Sequence, residues 1–417
     1  MRRAVKLSPS NKILFRLILV LLCVIFFVPK VNIVQLPTIA IEAKPEDFIW
    51  LCMLPLFISS QIRLDTLPGR MWCLLLVYLA ITVLWHSSNF ALVLRMFFYS
   101  FPLLYAVKLS KLQQRTILRI VKVFLYVMAI VATLQTVMPF PFFHTGNFGV
   151  GPVERSPGIY NNGVEFSLMA LVAFWLAIML DEKSLLIWIA AVTIAILSGT
   201  RMVSVMMICS GAVYFVSWSE AKKIWGFIAT VFLALIFIFL SPGIGDSRVA
   251  DIEAVEMGSQ VLDVLLSVES SSLITEARAG YCFEFDDTLA LDQSLAMRLS
   301  KFLFVVQTVV LGPYKLGFGL GRCIGDSGDN LYVRVLSDGG LPYLIGVILF
   351  FASMFMLKIR NLVIRRKWQI FMAILVSLSI FYDTLYMSRV SPLIFLALIV
   401  AISRSTGTSV IGQRVQK

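Results

Sequence analysis

Histidine and charged side chains are scarce in this sequence of 417 residues. Its two histidines are His86 and His144, charged residues make up 14% of the chain, and the six cysteines form no C-x-x-C pair. A structural zinc site needs about four closely spaced cysteine or histidine ligands, so this composition argues against one. No motif indicates a cofactor. The low charge also argues against an ordinary soluble domain, in which about 25% of residues are charged.

Hydrophobic residues are abundant instead, at 59% of the chain, and they recur in apolar runs separated by short polar connections. Because an apolar run of about 20 residues suits a transmembrane helix, we predict an all-α polytopic membrane protein with about twelve spans. The first span follows a basic start but lacks a small-residue cleavage site, so we expect it to be uncleaved. The predicted spans are residues 13–28, 47–62, 71–85, 90–107, 117–138, 164–180, 185–197, 202–218, 224–240, 341–357, 368–385 and 392–403.

The net charge of +12 could suggest nucleic acid, but the lysines and arginines cluster in the short connections between apolar runs. We assign the short connections alternately to the inner and the outer side of the membrane. The outer short connections then hold only five cations: Lys30, Lys44, Arg155, Arg201 and Arg389. By the positive-inside rule both termini are cytoplasmic. We therefore predict an N-terminal membrane bundle (1–241), a large loop on the outer side (242–339), and a C-terminal bundle with a cytoplasmic tail (340–417).

The long loop contains further predicted features. Residues 251–266 have the spacing of an amphipathic helix, best explained as a helix at the membrane interface. Residues 300–311 are apolar but too short for a span, so we expect a buried or re-entrant helix. Cys282 and Cys323 lie in this loop and could form a disulfide in an oxidising compartment, or remain two free thiols. The other four cysteines fall in apolar runs and are expected to be small buried hydrophobic residues.

Four arginines lie in or beside apolar runs on the predicted outer side: Arg95, Arg155, Arg201 and Arg298. An arginine at the centre of a membrane helix costs about 2.5–3.5 kcal/mol on insertion scales, so each needs a reason. One reason is simple extension of the side chain to lipid headgroups. The other is bidentate binding of phosphate oxygens, which would suit a pyrophosphate-linked lipid.

Carboxylates form a second candidate set. Glu165 lies just inside a predicted span, where it either has a function or pairs with Arg155 or Arg201. Asp326 and Asp329 lie near the end of the loop, and the acidic run 284–287 could bind a divalent cation but is better explained as a solvated turn. Gly317, Gly319 and Gly321 lack the lysine of a nucleotide-binding loop, which argues against such a loop. We predict instead that they form a tight bend that approaches Asp329.

Several short motifs together resemble the O-antigen polymerase and ligase superfamily. They are RSPGIYNN (155–162), SGTR (198–201), LGFG (316–319), DNLY (329–332) and Gly339. Their order, spacing and predicted side of the membrane carry the resemblance, which covers the chain from about residue 155 to the tenth span. Ligases of this superfamily usually have a histidine where Asp329 stands. The chain therefore looks more like the polymerase branch.

This resemblance implies a metal-independent glycosyltransferase of the bacterial inner membrane with a periplasmic active face. The growing glycan would move from undecaprenyl pyrophosphate to an undecaprenyl-linked repeat unit. A chain-length regulator and a flippase would act in the same pathway. Arg155, Arg201 and Arg298, with Arg95 next, would stabilise the departing pyrophosphate. Glu165, favoured for its expected burial, or Asp329 would accept the proton of the attacking hydroxyl. The remaining candidates, Asn330 and Tyr332, would orient the acceptor sugar.

Three other interpretations stay open. An O-antigen ligase would transfer the glycan to lipid A core instead. A lipid-linked glycan transporter would also hold charges inside its bundle, although such proteins often have repeated halves, which this sequence lacks. A non-catalytic subunit of an envelope assembly would show the same topology without depending on any single arginine.

Overall fold

The structure is a computed structural model that describes residues 9–29, 34–36, 41–43, 45–59, 64–86, 89–105, 108–137, 158–160, 163–215, 301–302, 305, 309, 317–320 and 330–406. Several predicted features lie outside these residues: the span 224–240, the helix 251–266, Arg155, the acidic run 284–287, Arg298, Asp326, Asp329, and the pair Cys282 and Cys323. For Arg201 the backbone alone is described.

The described residues are predominantly helical. The helices are α1 (Pro9–Phe27), α2 (Pro45–Ser59), α3 (Leu67–Thr82), α4 (Asn89–Tyr99), α5 (Phe101–Leu104), α6 (Lys111–Val137), α7 (Gly163–Met179), α8 (Leu185–Leu197), α9 (Arg201–Phe215), α10 (Leu331–Phe355), α11 (Leu362–Leu378) and α12 (Val390–Thr406). One short antiparallel hairpin, β1 (Val34–Leu36) and β2 (Ile41–Ala43), joins α1 to α2. Each predicted span within the described residues overlaps one of these helices. The prediction of a helical chain is thus confirmed.

Helix α7 forms the centre of the bundle. Nearly all of its residues are buried, and it packs against α6, α8, α9, α11 and α12. The outer faces of other helices expose large apolar side chains, as Leu74, Val77 and Ile81 of α3 do. By length and composition, two described helical segments, Lys111–Thr136 and Leu331–Phe355, are long and apolar enough to cross a membrane. The full twelve-span arrangement remains a prediction.

The helix boundaries correct the sequence analysis in several places. Helix α10 begins at Leu331, ten residues before the predicted span, so residues 331–339 belong to the helical bundle and not to a separate loop. Helix α11 is displaced toward the N-terminus, because the chain turns after Ser379. The predicted span 90–107 is divided at Ser100 into α4 and α5. Cys23, Cys52 and Cys209 are exposed, not buried as expected.

Polar contacts separate the helix ends into two groups. At the Asp181 end, Asp181 lies after α7 and accepts hydrogen bonds from Lys367 at 3.0 Å and from Arg404. Lys122 and Glu182 form an ion pair at 2.9 Å at the same end. Burial alone would raise the pKa of Asp181, but the hydrogen bonds from Arg404 and Lys367 outweigh it and hold that pKa below its ordinary value. This contribution to stability is therefore present at neutral pH and lost only on strong acidification.

Candidate functional site

The opposite end, which we call the network end, is organised around a break in α10. Gly340 has φ 74° and ψ −172°, so the helix consists of a first half, residues 331–339, and a second half that begins at Leu341. Two consecutive glycines and Pro342 account for the break, since glycine adopts positive φ readily and proline lacks an amide donor. The first half is buried, with Val333 and Leu336 against Val305 and Val309 of the segment predicted as a buried helix.

Asn330 and Tyr332, both predicted to orient the acceptor sugar, lie at the start of this half helix. Asn330 adopts φ 53°, and its side-chain oxygen accepts hydrogen bonds from the backbone amides of Tyr332 and Val333 at 3.0 and 3.3 Å. This is an N-cap, which satisfies two amides that a helix start leaves unpaired. The Tyr332 hydroxyl donates to the Val376 carbonyl at 3.2 Å. Both side chains therefore hold structure, while their contact with a sugar remains a prediction.

Side chains of α3 and α4 satisfy carbonyls at the other end of the half helix. The Tyr78 hydroxyl donates to the Gly339 carbonyl at 2.8 Å, and the Asn89 amide donates to the Asp338 carbonyl at 2.9 Å. The Leu320 amide donates to the Ser337 carbonyl at 2.6 Å. Carbonyls in the last turn of a helix have no intrahelical partner. These donors provide the hydrogen bonds that the carbonyls need in a buried position.

The predicted glycine bend is present, and it packs against the break in α10. Gly319 has φ +69°, and a Cβ atom there would lie 2.3 Å from the Ser337 carbonyl oxygen and 2.7 Å from the Gly340 nitrogen. The Tyr78 hydroxyl shares its one proton between the Gly339 and Gly317 carbonyls, and His86 Nε2 lies 3.2 Å from the Gly319 carbonyl oxygen. The bend and the helix break are therefore one tightly packed unit.

We expect Gly319→Ala to destabilise the protein strongly. The left-handed backbone alone costs about 1–2 kcal/mol for a residue with a Cβ atom, and the clash with two backbone atoms adds to this. Gly317→Ala is the matched control two residues away, because a Cβ atom there meets nothing within 4 Å. Melting temperatures in detergent measure both. Equal melting temperatures would show that the bend does not pack on the break.

A buried charged cluster fixes the half helix laterally. Arg334 Nη1 lies 2.8 Å from Asp383 Oδ2 and Arg334 Nε lies 3.7 Å from Asp338 Oδ2, and the guanidinium lies 4.8 Å from the centre of the Tyr386 ring. These charged side chains are at most 6% exposed. A buried charge without its partner is strongly destabilising, so a buried ion pair holds the two elements that carry it in a fixed relative position. Arg334 thus joins the half helix to the connection between α11 and α12.

The same connection carries a second buried pair. Arg389 and Glu46 are both 0% exposed, with Nη2 3.2 Å from Glu46 Oε2. Arg389 Nη1 also donates to the Ile25 and Val28 carbonyls at 3.3 and 2.7 Å, at the C-terminal end of α1. The guanidinium lies 5.2 Å from the centre of the Tyr160 ring. One arginine therefore binds α1, the start of α2 and the segment before α7 together.

Glu165 and Arg95, predicted from the sequence, lie close to this second pair. Glu165 is in the first turn of α7 and is 2% exposed. Arg95 lies 3.7 Å from Asp47, and both are about a quarter exposed. The buried Tyr99 is within electrostatic range of Glu165, Arg95, Asp47 and Glu46. Arg201, the first residue of α9, follows the turn that ends α8.

The sequence analysis missed the residues that carry most of the buried charge: Glu46, Arg334, Asp338, Asp383 and Arg389. The sequence analysis counted Arg389 only as a cation of an outer connection, and it assigned no role to Asp383, which lies within a predicted span. Two signals in the sequence could have indicated them. Ionisable groups within apolar runs are costly and so need partners. Arg334 and Asp338 are four residues apart, which is the spacing of an ion pair on one helix face. Which of these charges meet across helices depends on the tertiary structure.

At one end of the helical bundle this arrangement holds the buried Glu165 carboxylate and the partly exposed Arg95 guanidinium in fixed positions. A carboxylate suits proton transfer, and a guanidinium suits the stabilisation of a phosphate leaving group. No group of three or more metal-binding side chains occurs among the described residues. When compared with known proteins, the chain matches no family model and no curated protein.

Proposed function

We propose that this protein is a polymerase of O-antigen or a related surface polysaccharide. It spans the bacterial inner membrane about twelve times and acts on the periplasmic face. It transfers the growing glycan from undecaprenyl pyrophosphate to the terminal sugar of an undecaprenyl-linked repeat unit. The observation that carries the proposal is the concentration of buried ionisable residues at the network end, where the candidate residues Glu165, Asn330 and Tyr332 also lie.

Leaving-group chemistry is the first requirement of this reaction. As the glycosidic bond breaks, negative charge develops on the pyrophosphate, and fixed guanidinium groups stabilise it in a low-dielectric site. Arg95 belongs to the network end and is a quarter exposed, so it can meet a ligand. Arg155, Arg201 and Arg298 complete the proposed set on sequence grounds. Arg334 and Arg389, by contrast, are buried in ion pairs and hold structure.

Proton acceptance is the second requirement. The attacking sugar hydroxyl loses a proton as the new bond forms, and a carboxylate held nearby can take it. Glu165 is our choice, because its position in the first turn of the central helix fixes its backbone rigidly. Asp329 directly precedes the N-cap Asn330 and is the second candidate.

Purified protein supplied with lipid-linked repeat units is expected to lengthen them without a nucleotide sugar. Gel separation of the labelled glycans measures the product ladder. Boiled protein and a matched preparation lacking it serve as controls. In cells, deletion is expected to leave lipid A core capped with at most one repeat unit.

The alternatives predict different products. A ligase would transfer whole glycans to lipid A core and lengthen nothing. A transporter would lengthen nothing when purified, and in the deletion strain single units would fail to cross the membrane. A non-catalytic subunit would be inactive when purified and would tolerate the loss of Arg95 or Glu165. Any of these results would replace the polymerase proposal.

A further inference from the structure

Trp85, in the turn that follows α3, differs from the other described tryptophans in its exposure. It is 56% exposed, whereas five tryptophans elsewhere in the described ranges are at most 1% exposed: Trp50, Trp72, Trp175, Trp188 and Trp368. An indole ring is among the largest apolar surfaces that a side chain can bury, and its burial stabilises a fold. The packing of the bundle therefore does not explain why a tryptophan stands at position 85.

One face of the Trp85 ring is already covered by another ring. It stacks on Phe318 of the glycine bend, with ring centroids 4.1 Å apart and ring planes inclined by 12°. A parallel stack covers a single face of an indole, so the exposed part of Trp85 includes the opposite face. We call this ring pair the aromatic platform. The bend belongs to the LGFG motif, and the proposed reaction gives the Phe318 side chain no role.

Both rings of the aromatic platform are held in fixed positions. The carbonyls on the two sides of Phe318 are bound by side chains: one accepts a hydrogen bond from the Tyr78 hydroxyl, and the other lies 3.2 Å from His86 Nε2. The Trp85 amide donates to the Thr82 carbonyl at 3.1 Å. A surface that is already rigid loses little entropy when it binds a ligand. The aromatic platform is therefore preorganised for a flat partner.

The position of Trp85 separates it from the apolar outer face of α3. The exposed residues of that face recur every three or four positions: Leu74, Val77, Ile81 and Leu84. Trp85 follows Tyr78 by seven residues, about two helical turns, and so continues the face that meets the bend and the break in α10. Tryptophans that anchor a protein at a membrane interface form a belt of rings, but the other five described tryptophans are buried.

We propose that the aromatic platform is a sugar-binding subsite, on which one pyranose ring of the glycan substrate stacks against Trp85. One face of a pyranose consists largely of C–H groups, which are slightly positive, and the face of an indole carries the negative part of its quadrupole. The sugar hydroxyls remain at the ring edge, where water solvates them.

The location of the aromatic platform fits this ligand. Gly319, next to Phe318, packs on the backbone of the break in α10, so the aromatic platform belongs to the network end. It is therefore at the same end of the bundle as Arg95 and Glu165, where the proposed transfer takes place. The inference rests on the proposed function, because that proposal supplies a glycan as the ligand.

The test is binding of the repeat-unit oligosaccharide, released from its lipid by mild acid, to the full-length protein in detergent. An aromatic face contact corresponds to about a 3- to 10-fold change in affinity, so Trp85→Leu is expected to raise Kd by that factor. Trp85→Phe keeps an aromatic face and is expected to retain most of the affinity. Leu84→Ala is the matched control, because Leu84 is adjacent and 80% exposed, and it is expected to keep the wild-type Kd. Titration calorimetry measures all four proteins.

A second measurement uses the wild-type protein and so does not depend on the folding of a variant. Hydroxyl radicals oxidise exposed tryptophan and methionine side chains, and mass spectrometry locates the oxidised residues. Oxidation of Trp85 is expected to fall when the oligosaccharide is present well above its Kd. Met356, 71% exposed at the far end of α10, is the control and is expected to react at an unchanged rate. Failure of the wild type to bind, or equal protection of Trp85 and Met356, would overturn the inference.

Transfer assays separate this inference from the proposed function. In wild-type protein that transfers glycan, Trp85→Leu is expected to raise the KM for the lipid-linked repeat unit by the same factor and to leave kcat unchanged. An unchanged KM would overturn the inference while the proposed function stands. If the oligosaccharide protects Trp85 but the wild type transfers nothing, the subsite stands and the proposed function fails. Equal losses of affinity in Trp85→Leu and Leu84→Ala would indicate a general apolar contact and would overturn the inference.

Discussion

Glu165→Gln is expected to slow glycan transfer by about 10² to 10⁴, the range typical for removal of a catalytic base. Glutamine keeps the size of the side chain and most of its hydrogen bonding but loses its proton affinity. Because glutamine has the size and shape of glutamate, the amide variant is expected to fill the same buried position in the first turn of α7. Transfer rates at matched protein levels, with melting temperatures alongside, measure the effect.

Two further variants identify which carboxylate acts. Glu182→Gln is the matched control, since Glu182 pairs with Lys122 at the Asp181 end and lies far along the bundle from the network end. Asp329→Asn tests the second candidate. A large loss in Asp329→Asn with a normal rate in Glu165→Gln would exchange their roles. Normal rates in both would mean that the proton acceptor lies elsewhere.

Arg389→Met is expected to destabilise the protein strongly. It leaves the fully buried Glu46 carboxylate without its ion-pair partner and removes both hydrogen bonds to the end of α1. Removing one partner of a buried ion pair costs about 3–5 kcal/mol. Since a typical protein is stable by only about 5–15 kcal/mol, this is a large share of the total. Accumulation in the membrane and melting in detergent both report it.

The companion variants test the cause of this loss. Lys367→Met removes a partner of the half-exposed Asp181 at the other end and is expected to cost less than about 1 kcal/mol, because exposed pairs contribute little. The double variant Glu46→Leu with Arg389→Met removes the unpaired charge and is expected to recover much of the stability. Equal melting temperatures for Arg389→Met and the wild type would contradict the proposed role of the pair.

Part of the site could be found from sequence because local rules apply to it. Glu165 stands out as a carboxylate in an apolar run, and the glycines near 319 predict a bend. The beginning of α10 could not be found in this way. Its first half, 331–339, carries Arg334 and Asp338, which suggest a solvated loop until their partners are known. Arg334 becomes acceptable in a buried helix only because Asp383, from a distant part of the chain, meets it.

The sequence by itself determined that the chain is helical and where its apolar segments lie, because apolar composition and segment length are local properties. It also determined which charges are costly. The tertiary structure alone decided how those charges are paired, since Arg389 meets Glu46 and the end of α1 across more than 340 residues. It also decided that α10 breaks at Gly340 and that side chains of α3 and α4 donate to the carbonyls at the end of its first half. Buried charges and helix ends need partners, and partners distant in sequence are fixed only when the chain folds.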